Sequence, residues 1–184
     1  MARPVGRRGE TRERILAAAL ELFAENGVHG TSLQQIADRL GVAKASVYHQ
    51  FPTKDAMVVA VVQPATDAVG ALVDEAESIA DRAGQLDVLL RGMVDLVVEQ
   101  RTLAAVLHGD PGVEPVLRAF TDLPGRVQRL QDLLLGADPS PARRVALSVL
   151  GGGLMLSGVD PLLAGLPDDV LRRELLATAR QLFH

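Results

Sequence analysis

The chain's only two lysines, Lys44 and Lys54, both fall in one short segment running from Thr31 to Lys54, TSLQQIADRLGVAKASVYHQFPTK. Beside Lys44 stand a methyl group (Ala45), a hydroxyl (Ser46), a phenol (Tyr48), an imidazole (His49) and an amide (Gln50). Such groups suit the reading of a duplex. Lysine donates to the acceptor edge of guanine, and an alanine methyl meets the thymine methyl. Hydroxyl, amide and ammonium donors hold phosphate oxygens. Lys44, Ala45, Ser46 and His49 are the candidates to face bases. Arg12, Thr31, Ser32, Gln34, Tyr48, Gln50 and Lys54 are the candidates to hold the DNA backbone.

These groups read DNA only if a rigid frame presents them. Ser32 and Gln35 have the S-x-x-Q spacing of a capping box, which satisfies orphan amides at a helix start. Leu33, Ile36, Ala37 and Leu40 recur at i, i+3, i+4 and i+7, the apolar face of a short helix. Gly41 takes the left-handed conformation that ends such a helix at low cost. A second helix follows, with Val47 and Phe51 inward and Lys44, Ala45, Ser46, Tyr48 and His49 on other faces. The pattern is a helix-turn-helix, whose second helix enters the major groove. An ordinary helical hairpin has the same two apolar faces.

Position and company decide between the two. From about Arg12 to Met57 the chain resembles the DNA-binding domain of the TetR family of transcriptional regulators. The family pattern is matched by Gly27, Thr31, Ser32, Ile36, Ala37, Gly41, Val42, Val47, Tyr48, Phe51 and Lys54. Two positions depart from it. Ala43 stands where Ser or Thr is usual, so the second helix lacks a side-chain N-cap, a loss of ~1 kcal/mol. Gln50 replaces a common His, and its amide can also donate to a phosphate. The rest of the chain resembles the family only in length and helical character.

Composition sets outer bounds. A chain of 184 residues with 48% hydrophobic but only 3% aromatic residues must build its core from Leu, Val and Ala, which favours packed helices. There is no Cys, hence no disulfide, thiolate metal site or cysteine nucleophile. Residues 1–56 carry eight Lys/Arg against six Asp/Glu, a balance of +2; residues 57–184 carry eleven against seventeen, −6, giving the overall −4. A basic N-terminal module on an acidic body is a local footprint of DNA binding, which the overall pI of about 5.5 conceals. The basic start MARPVGRRGETRER is followed by no uncharged apolar run, so a signal peptide is not expected. Val145 to Val159, the longest charge-free stretch, is too short and too rich in Gly and Ser to span a bilayer. A soluble, cytoplasmic protein is expected.

The expected fold is all-α: an N-terminal three-helix helix-turn-helix domain (1–56, of which 1–10 is a loose basic arm), then a larger helical effector-binding and dimerisation domain (57–184). Helix one is expected from about Thr11 to Asn26, and a long helix from Lys54 to about Arg82, kinked or broken at Pro64. Further helices are expected over Leu86 to Gln100, Arg101 to His108, Val113 to Leu135 (bent near Pro124-Gly125), Ala142 to Gly158 and Asp168 to Phe183. Gly151-Gly152-Gly153 lacks the G-x-G-x-x-G spacing and a preceding strand, so it reads as close helix approach or a local break.

No enzyme signature is present. His29, His49, His108 and His184 are dispersed and fit no metal-ligand spacing, and Asp74, Glu75, Glu77 and Asp81 read as a solvated helix face. No cofactor or metal is expected. The resemblance implies a small-molecule cavity among the middle helices. Its candidate lining is Met93, Leu96, Val97, Leu103, Val106, Leu107, His108, Phe120, Leu123, Val127 and Leu154, scant in charge and suited to an apolar or weakly polar effector. It also implies a homodimer, for which Ala146, Val149, Leu150, Gly153, Leu171, Leu175, Leu176, Ala179 and Leu182 are the interface candidates. The functional expectation is a repressor on a palindromic double-stranded DNA operator, released by an effector. The alternative is a small-molecule binding or assembly protein that retains the helix-turn-helix as scaffold.

Overall fold

A computed structural model describes residues 8–158 and 160–183, with the side chains of Arg8, Ala105, Leu107 and His108 outside the description. The helices are α1 (Arg8–Gly30), α2 (Leu33–Leu40), α3 (Lys44–Gln50), α4 (Lys54–Ser78), α5 (Arg82–Glu99), α6 (Arg101–Gly109), α7 (Val113–Phe120), α8 (Leu123–Leu135), α9 (Pro141–Ser157) and α10 (Asp168–Phe183). No strand occurs among the described residues, so the fold is all-α.

Local chemistry sets the first boundaries. The Ser32 hydroxyl accepts from the Gln35 amide at 3.2 Å while the Gln35 side chain accepts from the Ser32 amide at 2.7 Å, the reciprocal capping box. Gly41 ends α2 at φ 64°, a conformation a Cβ would strain. Ala43 precedes α3 in extended geometry with no side-chain bond to the helix. Thr53 caps α4, its hydroxyl accepting from the Ala56 amide at 3.0 Å.

Several boundaries differ from expectation. Residues 1–7 of the expected arm lie outside the described residues, and α1 already begins at Arg8. At Gly27 (φ 73°, ψ 163°) α1 kinks before a final turn to Gly30. Pro64 does not break α4. Pro64 is exposed, and the opposite face packs against α1, α5, α7 and α8, which holds the helix across the missing bond. Helix α4 stops at Ser78, and Asp81 starts α5 early by accepting from the Gly84 amide at 2.7 Å. The expected helix from Val113 to Leu135 is two, α7 and α8, parted at Thr121-Asp122, with Pro124 in the first turn of α8. Helix α9 runs unbroken through its three glycines.

Two apolar cores result. One joins Ile15, Phe23, Ile36 and Val47 of the first three helices, and Phe51 just after α3, to Met57, Val58 and Val62 of α4, and to Leu103, Val106, Val113 and Leu117 of α6 and α7. The other gathers the rest of α4 (Leu72, Val73, Ala76) with α5, α8, α9 and α10 around Leu89, Val94, Leu134 and Leu171. Each such fully buried side chain contributes ~1.5–3 kcal/mol relative to exposure. The first core therefore reaches well past residue 56, where the sequence suggested a division. By length and composition α4 could cross a membrane, yet its buried positions belong to these cores.

Candidate nucleic-acid interface and effector pocket

Val47 is fully buried and Phe51 nearly so, which pins α3 to the module and turns its other faces outward. Lys44, Ala45, Ser46, Tyr48 and His49 are all exposed, and Gln50 is half-buried. The Lys44 ammonium lies 5.2 Å from the centre of the Tyr48 ring, a cation–π contact that keeps both on the outer surface of α3. Arg12 reaches across from α1 to sit 5.2 Å from the Phe51 ring centre.

Beside α3 lies a shallow hollow whose lining includes Gly30, Thr31 and Ser32 at the start of α2, Thr53 and Lys54 at the start of α4, and Tyr48 between them. Two helix N-termini, each with unpaired amides and a positive dipole end, converge there, an arrangement suited to a phosphate. Thr53 and the amides behind it were missed in the sequence. Their signal was the Thr immediately before Lys54, the position of an N-cap.

Two backbone-contact candidates have other employment. Thr31 is only 2% exposed, and its hydroxyl donates to the Leu22 carbonyl at 3.0 Å and the Gly27 carbonyl at 2.8 Å. That hydroxyl ties the end of α1 together, and its proton is already given to these carbonyls. Lys54 donates to the Val28 carbonyl at 2.8 Å and the His29 carbonyl at 3.3 Å, capping the last turn of α1. Ser32 is exposed but its hydroxyl also serves the capping box, and Gln34 donates to Asp38 at 2.7 Å. Arg39 pairs with Glu25, holding α2 on α1; that hydrogen bond raises the guanidinium pKa and lowers the carboxyl's.

The body contacts this module through the turn after α6. Asp110 accepts from the Val28, His29 and Gly112 amides. Burial pushes its carboxyl pKa up, but the three amide donors outweigh that and hold it below the ordinary carboxylate value.

A half-open cavity of about 570 Å³ lies within the body, between Val69 of α4, Met93, Leu96 and Val97 of α5, Val127, Leu130 and Gln131 of α8, and the flank of α9 from Arg144 to Met155. Met93, Leu96, Val97, Val127 and Leu154 of the expected lining meet there. Leu103 and Val106 do not: they are buried in the N-terminal core, where Leu123 also packs. Phe120 is 63% exposed. The side chains of Leu107 and His108 lie outside the description. The cavity wall on α9, including Arg144, Leu147, Ser148, Gly151 and Gly152, was missed because its charge and glycines do not read as a pocket in sequence.

The interface candidates also divide. Ala146, Leu150, Leu171 and Ala179 are buried in the chain's own core, so these four are not free for a partner, while Leu175 and Leu176 pack against that core and are only partly buried. Val149, Gly153 and Leu182 are exposed, together with Leu156 of the same apolar surface and with Val145, which was not foreseen.

A sequence model of the bacterial regulatory proteins of the tetR family matches residues 15–61, from α1 into α4. Over almost the whole chain the fold is similar to PfmR, a TetR-family transcriptional regulator from Thermus thermophilus (25% identity, 91% of this chain and 97% of that one, TM-score 0.63). Residues 15–61 thus carry the tetR-family regulatory sequence, and the chain as a whole shares the fold of a TetR-family regulator. The ketosteroid transcriptional regulator KstR2 of Mycobacterium tuberculosis shares the TetR-family fold at 19% identity, over 97% of this chain and 98% of its own, with a TM-score of 0.75. The transcriptional regulator RutR of Escherichia coli K12 is 45% identical over 53 residues, which are 29% of this chain. The match spans only about a quarter of RutR's length (25%), so sequence kinship at that level is confined to one segment.

Proposed function

We propose that this chain is a TetR-family DNA-binding transcriptional repressor and not an enzyme, acting in the cytoplasm as a homodimer. Residues 1–56 form the DNA-reading domain and 57–184 the effector-binding and dimerisation domain. The carrying observation is α3: one buried residue, Val47, fixes a helix whose remaining chemistry faces solvent. Lys44, Ala45, Ser46 and His49 face bases, and Tyr48, Gln50, Arg12 and the hollow at Thr53 take the phosphates.

Dimerisation is supported by α9, where Val145 (62% exposed) and Val149 (55% exposed) share a face with Gly153 and Leu156. Two copies would read a roughly palindromic operator with half-site centres ~34–36 Å apart. An effector in the α4–α5–α8–α9 cavity would favour the conformer in which the two reading helices are mis-spaced.

Selection of bound fragments from the source genome tests the reading. Enrichment of a two-fold symmetric sequence is expected, with Lys44→Ala changing the preferred base at one position per half-site. Equal affinity for selected and scrambled duplexes would leave the helix-turn-helix as a mere scaffold for small-molecule binding.

A further inference from the structure

Within the effector pocket, whose assignment the following inference takes from the proposed function, one charge goes unanswered. Among the described residues, Arg144 is the only charged one lining the cavity. Its Nε donates to the Pro139 carbonyl at 3.3 Å, and among the described residues its two Nη groups have no partner. Most arginines of the body pair with a carboxylate, whereas among the described residues the exposed Arg144, like Arg82 and Arg143, does not. Arg126, Arg129 and Arg180, for instance, each meet a carboxylate. Arg144 lies near the start of α9 and Gln131 near the end of the preceding α8, so the polar groups gather at one end of a cavity that is otherwise apolar.

The glycines of α9 supply a second observation. Glycine costs up to ~1 kcal/mol in a helix interior, yet three stand in a row there. Packing within the chain does not require them: a Cβ at Gly151 or Gly152 would meet no heavy atom of the chain within 4 Å. Both line the cavity, so their missing side chains enlarge it.

We propose that the cavity binds an amphipathic carboxylate. Its apolar body lies along Met93, Leu96, Val97 and Leu154, in space left by Gly151, and its carboxylate takes the free side of the Arg144 guanidinium. A planar fork with two unengaged amino groups matches the two oxygens of a carboxylate, and it repels an ammonium ligand. The volume is in the range of small-molecule sites.

Titration calorimetry on the full chain with decanoate, 1-decanol and decyltrimethylammonium tests this. Decanoate should bind about tenfold more tightly than decanol, and the cation more weakly than either. Arg144→Gln should bring decanoate to the affinity of decanol while leaving decanol unchanged. Gly151→Leu should weaken both, with a thermal melt no lower than the native chain's. Equal binding of decanoate and decanol by the native chain would overturn the carboxylate assignment and leave the pocket standing. Absence of binding by all three ligands would overturn both.

Discussion

Asp110 accepts the backbone N–H of Val28 at 2.7 Å, across 82 residues of sequence. The same carboxylate takes the His29 amide at 3.1 Å and the Gly112 amide at 2.8 Å, with its side chain 11% exposed. Gly27 makes the contact possible. Its left-handed φ turns the two amides outward, and a Cβ there would sit 3.3 Å from the carboxylate oxygen. One acidic side chain thus binds the turn after α6 to the end of α1.

Asp110→Asn should cost ~1–3 kcal/mol, because at least one amide loses its acceptor in a mostly buried place. Denaturant unfolding measures it. The folded carboxyl has a depressed pKa, so its stabilisation is complete above the ordinary carboxylate value and fades as pH falls through the folded pKa. The gap between native and Asp110→Asn chains should hold level at neutral pH and shrink only in acid. A gap that widens on acidification contradicts the assignment.

Lys54→Ala should destabilise the chain even without DNA, since the ammonium caps the Val28 and His29 carbonyls. A loss of ~1 kcal/mol corresponds to a melting shift of ~2–4 °C for a chain of this size. An unmoved melting point alongside weakened DNA binding would make Lys54 a phosphate contact alone.

Ala43→Ser should stabilise by ~0.5–1 kcal/mol. The backbone at Ala43 is already extended and precedes α3 without a side-chain acceptor, which a serine hydroxyl would supply. Thermal melting of the two chains compares them, and no gain would mean that the first turn of α3 is satisfied by water.

Val149→Asp should shift the proposed dimer toward monomer, since it puts a charge on an exposed apolar face of α9 that has no role in the chain's own core. Sedimentation velocity reads the mass. Ala146→Asp would be no substitute, because Ala146 is buried within the chain and its replacement would disrupt folding.

The helix-turn-helix was legible because its signals are local: Ser32 and Gln35 are three residues apart, and Gly41 needs only its own φ. The split between α7 and α8, and the survival of α4 through Pro64, depend on partners distant in sequence. The same holds for Thr31 and Lys54. Each carries a donor suited to phosphate, and only tertiary contacts with Leu22, Val28 and His29 reveal where those donors go. On α9 and α10, periodicity marked apolar positions without distinguishing those facing the chain's own core from those facing out. Ala146 and Val149 are three residues apart on one helix and fall on opposite sides of that line.

Helix α4 has its first turns in one core and its last in the other, with no break between. At 25 residues it is roughly 37 Å long. A lever of that length, tilted by about 5° at the cavity end, swings its far tip through about 3 Å, close to the ~3.4 Å stacking step of a DNA strand. A ligand need not travel toward the duplex to be felt there; a modest lean of one shaft is enough to put its tip out of step with the bases.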